Sequence, residues 1–98
     1  MTPAALKASV SNAAPPAGLT PPLQALWWAG KDGWDQAHKI VTREQGADAA
    51  WVHAYLHRVE GDLPNAGYWY RAAAKPVATG TLEAEWDAIA AALLGGGS

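Results

Sequence analysis

The sharpest hydrophobic stripe lies late in the chain, where Leu82, Trp86, Ile89 and Leu93 recur at steps of four, three and four. That spacing puts all four on one face of a helix. Thr81 is placed to cap it, with Glu83 and Glu85 in the first turn, where the helix dipole favours acids. Four earlier segments carry shorter stripes. After Thr20-Pro21-Pro22, a hydroxyl cap followed by prolines whose missing N–H groups a first turn does not need, Leu23, Leu26 and Trp27 share a face. This predicts a helix from Leu23 to Ala29 or Gly30, with Trp28 off the stripe. Trp34, Ala37 and Val41 mark the next, from Trp34 to about Gln45, with Asp32 or Gly33 as cap and Gly46 as stop.

With Asp48 as cap, the following helix is expected over Ala49 to Glu60. At 100° per residue, Trp51, Val52, Tyr55, Leu56 and Val59 cover roughly 140° of its surface. His53, His57 and Glu60 fall outside that arc as a separate polar strip. The chain then turns at Gly61-Asp62, and Asp62 caps a helix with Pro64 in its first turn. Ala66, Trp69, Tyr70 and Ala73 form its inward face, and Lys75-Pro76 ends it, because the residue before a proline avoids the helical region.

The two ends read differently. Residues 1–18 are an N-terminal arm or a short helix, in which Thr2 caps, Pro3 opens the first turn, and Leu6 and Val10 lie on one face. Residues 19–94 hold the helical-hairpin domain. Gly95-Gly96-Gly97-Ser98 has the composition of an appended flexible linker and is set aside from the fold. The expected fold class is all-α: two stacked antiparallel helical hairpins with a C-terminal capping helix.

Composition narrows the function. Half of the 98 residues are apolar, and six Trp and three Tyr supply bulk where Phe is absent. Alanine-rich helices anchored by aromatic rings follow from that balance. A net charge of −2 without a basic stripe argues against nucleic-acid partners. The lack of cysteine removes disulfides, thiolate chemistry and Cys-based zinc sites. No apolar run is long enough for a membrane span or a secretory signal, so a cytoplasmic location is the expectation.

Shifting the chain by 29 residues superposes its hairpins: Leu23 meets Val52, Trp34 meets Leu63, Ala37 meets Ala66 and Val41 meets Tyr70. Repeats of this kind stack because no single hairpin buries its own apolar face. Gly61-Asp62-Leu63, Ala66, Tyr70 and Ala73 resemble the second helix of a tetratricopeptide repeat. His57 stands where that family has an aromatic residue, and the period is shorter than the family's roughly 34 residues. A longer match runs over residues 23–75. There AWVHAYLHRVEGDLPNAGYWYRAA is similar to a family of short, uncharacterised bacterial proteins with a W-V-H-A-Y-L-H-R-x-E-G-D motif and a Y-W-Y-R segment. The resemblance implies a cytoplasmic all-helical protein and brings no catalytic assignment.

Candidate chemistry centres on the polar strip. His53 and His57, four residues apart, project from one helix face, the geometry by which a helix offers two nitrogens to one divalent metal ion. Glu60 is a third ligand or the carboxylate that orients an imidazole. The alternative is that the histidines bond neighbouring helices or face water. Ala54 leaves no general base between the pair, which argues against a metalloprotease. His38 and Glu44 are the further ligands to consider, and His38 with His53, His57 and Glu60 completes the candidates for acid–base work. Were His38 to converge on the pair, burial and repulsion would keep the imidazoles neutral near pH 7. Trp28, Tyr68 and Trp69 extend the strip into a candidate surface for a small apolar or aromatic ligand. Two functions fit these residues. The first is a non-enzymatic interaction module that binds a protein segment or self-associates. The second is a metal- or small-molecule-binding pocket on His53, His57 and Glu60. Arg58, Arg71 and Glu60 read as a solvated rim, and Asp62 and Asn65 as helix caps.

Overall fold

The computed structural model describes residues 1–95, and among these all regular structure is helical. The elements are α1 (Pro3–Ala8), a 3-10 turn (Ser9–Ser11), α2 (Pro21–Gly30), α3 (Trp34–Thr42), α4 (Ala47–Val59), α5 (Leu63–Ala72) and α6 (Leu82–Gly95). The proposed linker begins inside α6 at Gly95; residues 96–98 lie outside the described part.

Helix pairing follows the stripes. The closest neighbours are α2 with α3 and α4 with α5, two consecutive hairpins. Helix α4 also touches α2, α3 and α6, so it is the central element. Helix α6 packs on α1, α2 and α4, where Trp86, Ile89 and Ala90 are buried beside Leu26, Trp27, Val52 and Leu56. The N-terminal segment joins this core: Leu6 is fully buried, and the Trp27 indole N–H donates to Ser9 Oγ at 3.0 Å. Two further indoles tie helices to backbone carbonyls, Trp86 to Leu26 O at 2.8 Å and Trp34 to Leu56 O at 2.7 Å.

Three helix ends share one device. The chain leaves α2, α4 and α5 through a residue with positive φ, respectively Asp32 at 62°, Gly61 at 85° and Ala74 at 58°. The next N–H returns to the carbonyl five residues back, as in Gly33 to Trp28 at 2.7 Å, Asp62 to His57 at 2.9 Å and Lys75 to Tyr70 at 3.0 Å. This is the Schellman ending, which satisfies carbonyls that a helix terminus leaves open. Asp32 and Gly61 are 29 residues apart, so the repeat in the sequence is a repeat of turn geometry.

Several boundaries move from the expectation. Helix α3 stops at Thr42, whose hydroxyl donates to Lys39 O, and not near Gln45. A threonine that bonds back along its own helix weakens continuation. Gly46 is the N-cap of α4 at φ +103°, so it starts a helix where a stop was expected, and Asp48 sits in the first turn instead of capping. Thr20 occupies the N-cap of α2 but its hydroxyl makes no capping bond there; the Gln24 side chain donates to Leu19 O. Val59 is 41% exposed and lies outside the core. The expected caps Thr2, Asp62 and Thr81 do accept from Ala5, Asn65 and Ala84 backbone N–H groups.

Candidate metal centre

Because α4 is flanked by α3 and α5, its polar strip is covered on both sides. His53 and His57 are 5% and 6% exposed, against the expectation of a strip apart from the packed face. Trp69 of α5 lies flat on the His53 ring at 3.9 Å, and the two imidazoles of α4 stack on each other at 4.9 Å. From α3, His38 joins them, edge-on to His53 at 4.9 Å and to His57 at 5.4 Å. Trp34, one turn before His38, stacks beneath it at 4.7 Å. Its indole bond to Leu56 O fixes α3 against the last turn of α4. Two indole planes therefore bracket three histidines.

The nitrogens face one another. His38 Nε2 and His53 Nε2 are 3.2 Å apart, and one donor nitrogen from each of His38, His53 and His57 falls within 4.8 Å of the others. The 3.2 Å contact requires that one ring carry hydrogen and the other a lone pair. Nitrogens on one tetrahedral zinc ion at about 2.0–2.1 Å stand about 3.3 Å from each other, so the pair already has the spacing of two metal ligands.

His57 is held by both ring nitrogens. Nδ1 is 3.2 Å from Glu60 Oε1, and Nε2 is 3.3 Å from Asn65 Nδ2. A carboxylate only accepts, so Nδ1 bears the hydrogen; Nε2 is then the lone pair that the Asn65 amide donates to. Glu60 thus accepts at the His57 nitrogen that carries the hydrogen and stands outside the three-histidine group. Together with Asp62 it forms a second, more exposed group around His57.

Burial acts on the charges. The His53 imidazole is pushed down to about 4, first by loss of solvent and then by His57 and His38. His38 is lowered by burial and by His57, against the opposing pull of Glu60 and Asp35. His38 and His53 are accordingly proton-poor at neutral pH, with lone pairs ready for a Lewis acid.

The aromatic candidates separate. Trp69 belongs to the cluster through His53, and Tyr68 packs edge-on against Trp69 while 56% exposed. Trp28 packs edge-on against Trp27 and over Gly33, and its ring contacts include none of the histidines. Glu44 is exposed beyond α3, in a separate hollow with Gln45 and Trp69.

Four participants escaped the sequence. Asn65 has the sequence position of a cap, but its side chain reaches His57 across the Gly61 turn. Arg58, read as rim, pairs with Glu85 at 3.0 Å, and the Tyr70 hydroxyl donates to the other oxygen of Glu85. Glu85 itself is buried, and its first-turn position gave no sign of that. Arg58 also donates to Gly80 O, which ties the 76–80 segment over α4. Beside this network lies a groove of about 530 Å³ that includes Leu63, Val77 and Leu82 among its walls.

Comparison with known protein families, characterised proteins and solved structures returns no match for this chain. No helix among the described residues is long and apolar enough to cross a membrane.

Proposed function

We propose that the protein binds a divalent transition-metal ion through His38, His53 and His57. The observation that carries this reading is the 3.2 Å approach of His38 Nε2 and His53 Nε2 from separate helices, with His57 beside them. Loading needs little chemistry at that pair. The imidazole that carries the shared hydrogen moves it to its other nitrogen, and both Nε2 lone pairs face the ion. Glu60 on His57 Nδ1 supplies the carboxylate–histidine–metal relay that fixes a ligand's tautomer. Imidazole donors suit Zn²⁺, Ni²⁺ and Cu²⁺, and three of them leave a fourth tetrahedral position for water or a small ligand.

Thermal unfolding in EDTA and in Zn²⁺ tests the proposal. An ion at 100 times its dissociation constant stabilises the native state by about 2.7 kcal/mol, a rise of roughly 10–20 °C in melting temperature for a chain of this size. The rise should vanish in His38→Ala and His53→Ala. An unchanged melting temperature in the parent chain at 0.1 mM Zn²⁺ would sink it.

The rival reading, a module for a protein segment, a second copy or a small apolar ligand, draws support from the groove edged by exposed Leu63 and Val77. Light scattering separates it: self-association would appear as a mass that grows with concentration. The histidine geometry is the more specific of the two, since an apolar groove accepts many occupants and three convergent imidazoles accept few.

A further inference from the structure

We infer that Asn65 is a latch on the metal site, an internal competitor that holds the His57 lone pair until an ion takes it. The inference rests on the metal reading above and concerns its regulation.

His57 has two nitrogens and both are engaged. Glu60 Oε1 on Nδ1 must be an acceptor, so the hydrogen of a neutral ring sits on Nδ1 and only Nε2 is left to bind an ion. That nitrogen is 3.3 Å from Asn65 Nδ2, whose N–H is the donor. An ion on Nε2 and an amide hydrogen on Nε2 exclude each other, because they use the same lone pair. The His38–His53 pair carries no such obstruction, since its shared hydrogen leaves by a tautomer change alone.

Asn65 is placed to make the exchange consequential. It lies in the first turn of α5, and its backbone N–H is the one that Asp62 caps. Asp62 in turn closes the Schellman ending of α4 by donating to His57 O. His57, the Gly61 turn and the start of α5 therefore form one hydrogen-bonded unit, and ion binding at Nε2 removes one of its bonds. Without the ion, the latch holds α5 to α4; with it, the amide side chain is released at the hairpin turn. By linkage, whatever holds the amide against His57 weakens the ion, and the ion weakens that contact by the same factor.

Asn65→Ala tests this, with Zn²⁺ as the probe. A neutral hydrogen bond contributes about 0.5–1.5 kcal/mol net, so its removal should tighten Zn²⁺ binding on the order of twofold to tenfold in calorimetric titration. In EDTA the variant should melt below the parent chain, and in saturating Zn²⁺ the gap should close. A cap or packing role alone predicts an equal loss of stability in both conditions and an unchanged affinity, which would overturn the latch. Weaker binding by the variant would also overturn it, because Asn65 would then be a ligand. If the parent and the variant both fail to bind, the metal reading falls and takes the latch with it. If the parent binds and the variant binds no tighter, the latch alone falls. Far-UV circular dichroism of the variant in EDTA confirms that it is helical before the titration is read.

Discussion

The histidine that most separates the folded from the unfolded chain is His53. Its folded-state value of about 4, against 6.5 for an unperturbed imidazole, means that the unfolded state takes up a proton which the native site refuses. Stability due to this group is complete above pH 6.5. It declines as the pH falls toward 4 and is flat below that. The difference is worth on the order of 3 kcal/mol, and His38 adds in the same direction. Urea unfolding at pH 7 and pH 4.5 should show the loss, and His53→Gln should flatten it; equal pH dependence in both proteins would refute the assignment. The groups facing His53 are His38 from α3, His57 on its own helix and the uncharged Trp69 from α5, so no neighbour compensates a charge placed there. On the proposed metal reading, an ion would meet no proton to displace from His38 or His53 above neutrality.

Helix ends carry the next level of organisation. Three Schellman endings set the direction in which α2, α4 and α5 hand over the chain, and only α4 uses glycine at the left-handed position. Ala74 bears a Cβ at φ 58°, a conformation that opposes its side chain by roughly 1 kcal/mol. Ala74→Gly should therefore raise stability by about 0.5–1 kcal/mol. Gly61→Ala should lower it by about 1 kcal/mol, and since no atom lies within 4 Å of the added Cβ, the effect is conformational and not steric. Chemical denaturation of the two variants checks both signs. Opposite outcomes would show that the turn geometry differs from the Schellman form. The Gly61 ending also orders the site, because it brings Asn65 back within reach of His57.

For the whole molecule the central position of α4 decides most of what matters. It buries one histidine strip against α3 and α5, and it places Arg58 over Glu85 of α6, with side chains 15% and 6% exposed. Removal of one member of a buried pair strands the other without solvent, at about 3–5 kcal/mol. Arg58→Ala and Glu85→Ala should each fall near that range. The double variant should lose much less than the sum, since the stranded charge is gone. A double-mutant cycle by thermal or urea unfolding reads the coupling, and strict additivity would show that the pair is not one unit. The pair matters for the site at one remove, since Arg58 follows His57 directly and anchors that turn of α4.

Local order was written in the sequence because local forces set it. Stripes at helical spacing placed α2 to α6. Thr2, Asp62 and Thr81 announced their caps through short-range bonds, and the four-residue step from His53 to His57 put both rings on one face. Boundaries at Thr42 and Gly46 were less legible, because a helix end depends on how the next helix must be reached. What only the tertiary structure decided is which neighbours a side chain meets. His38 and His53 are 15 residues apart and Arg58 and Glu85 are 27 apart, and no periodicity relates residues on different helices. Asn65 could be seen as a cap, a local role, but not as a partner of His57, since that contact exists only once a turn has folded α5 back on α4. The imidazole strip of α4 is sequence; its burial, its third histidine and its contact with Asn65 are consequences of packing.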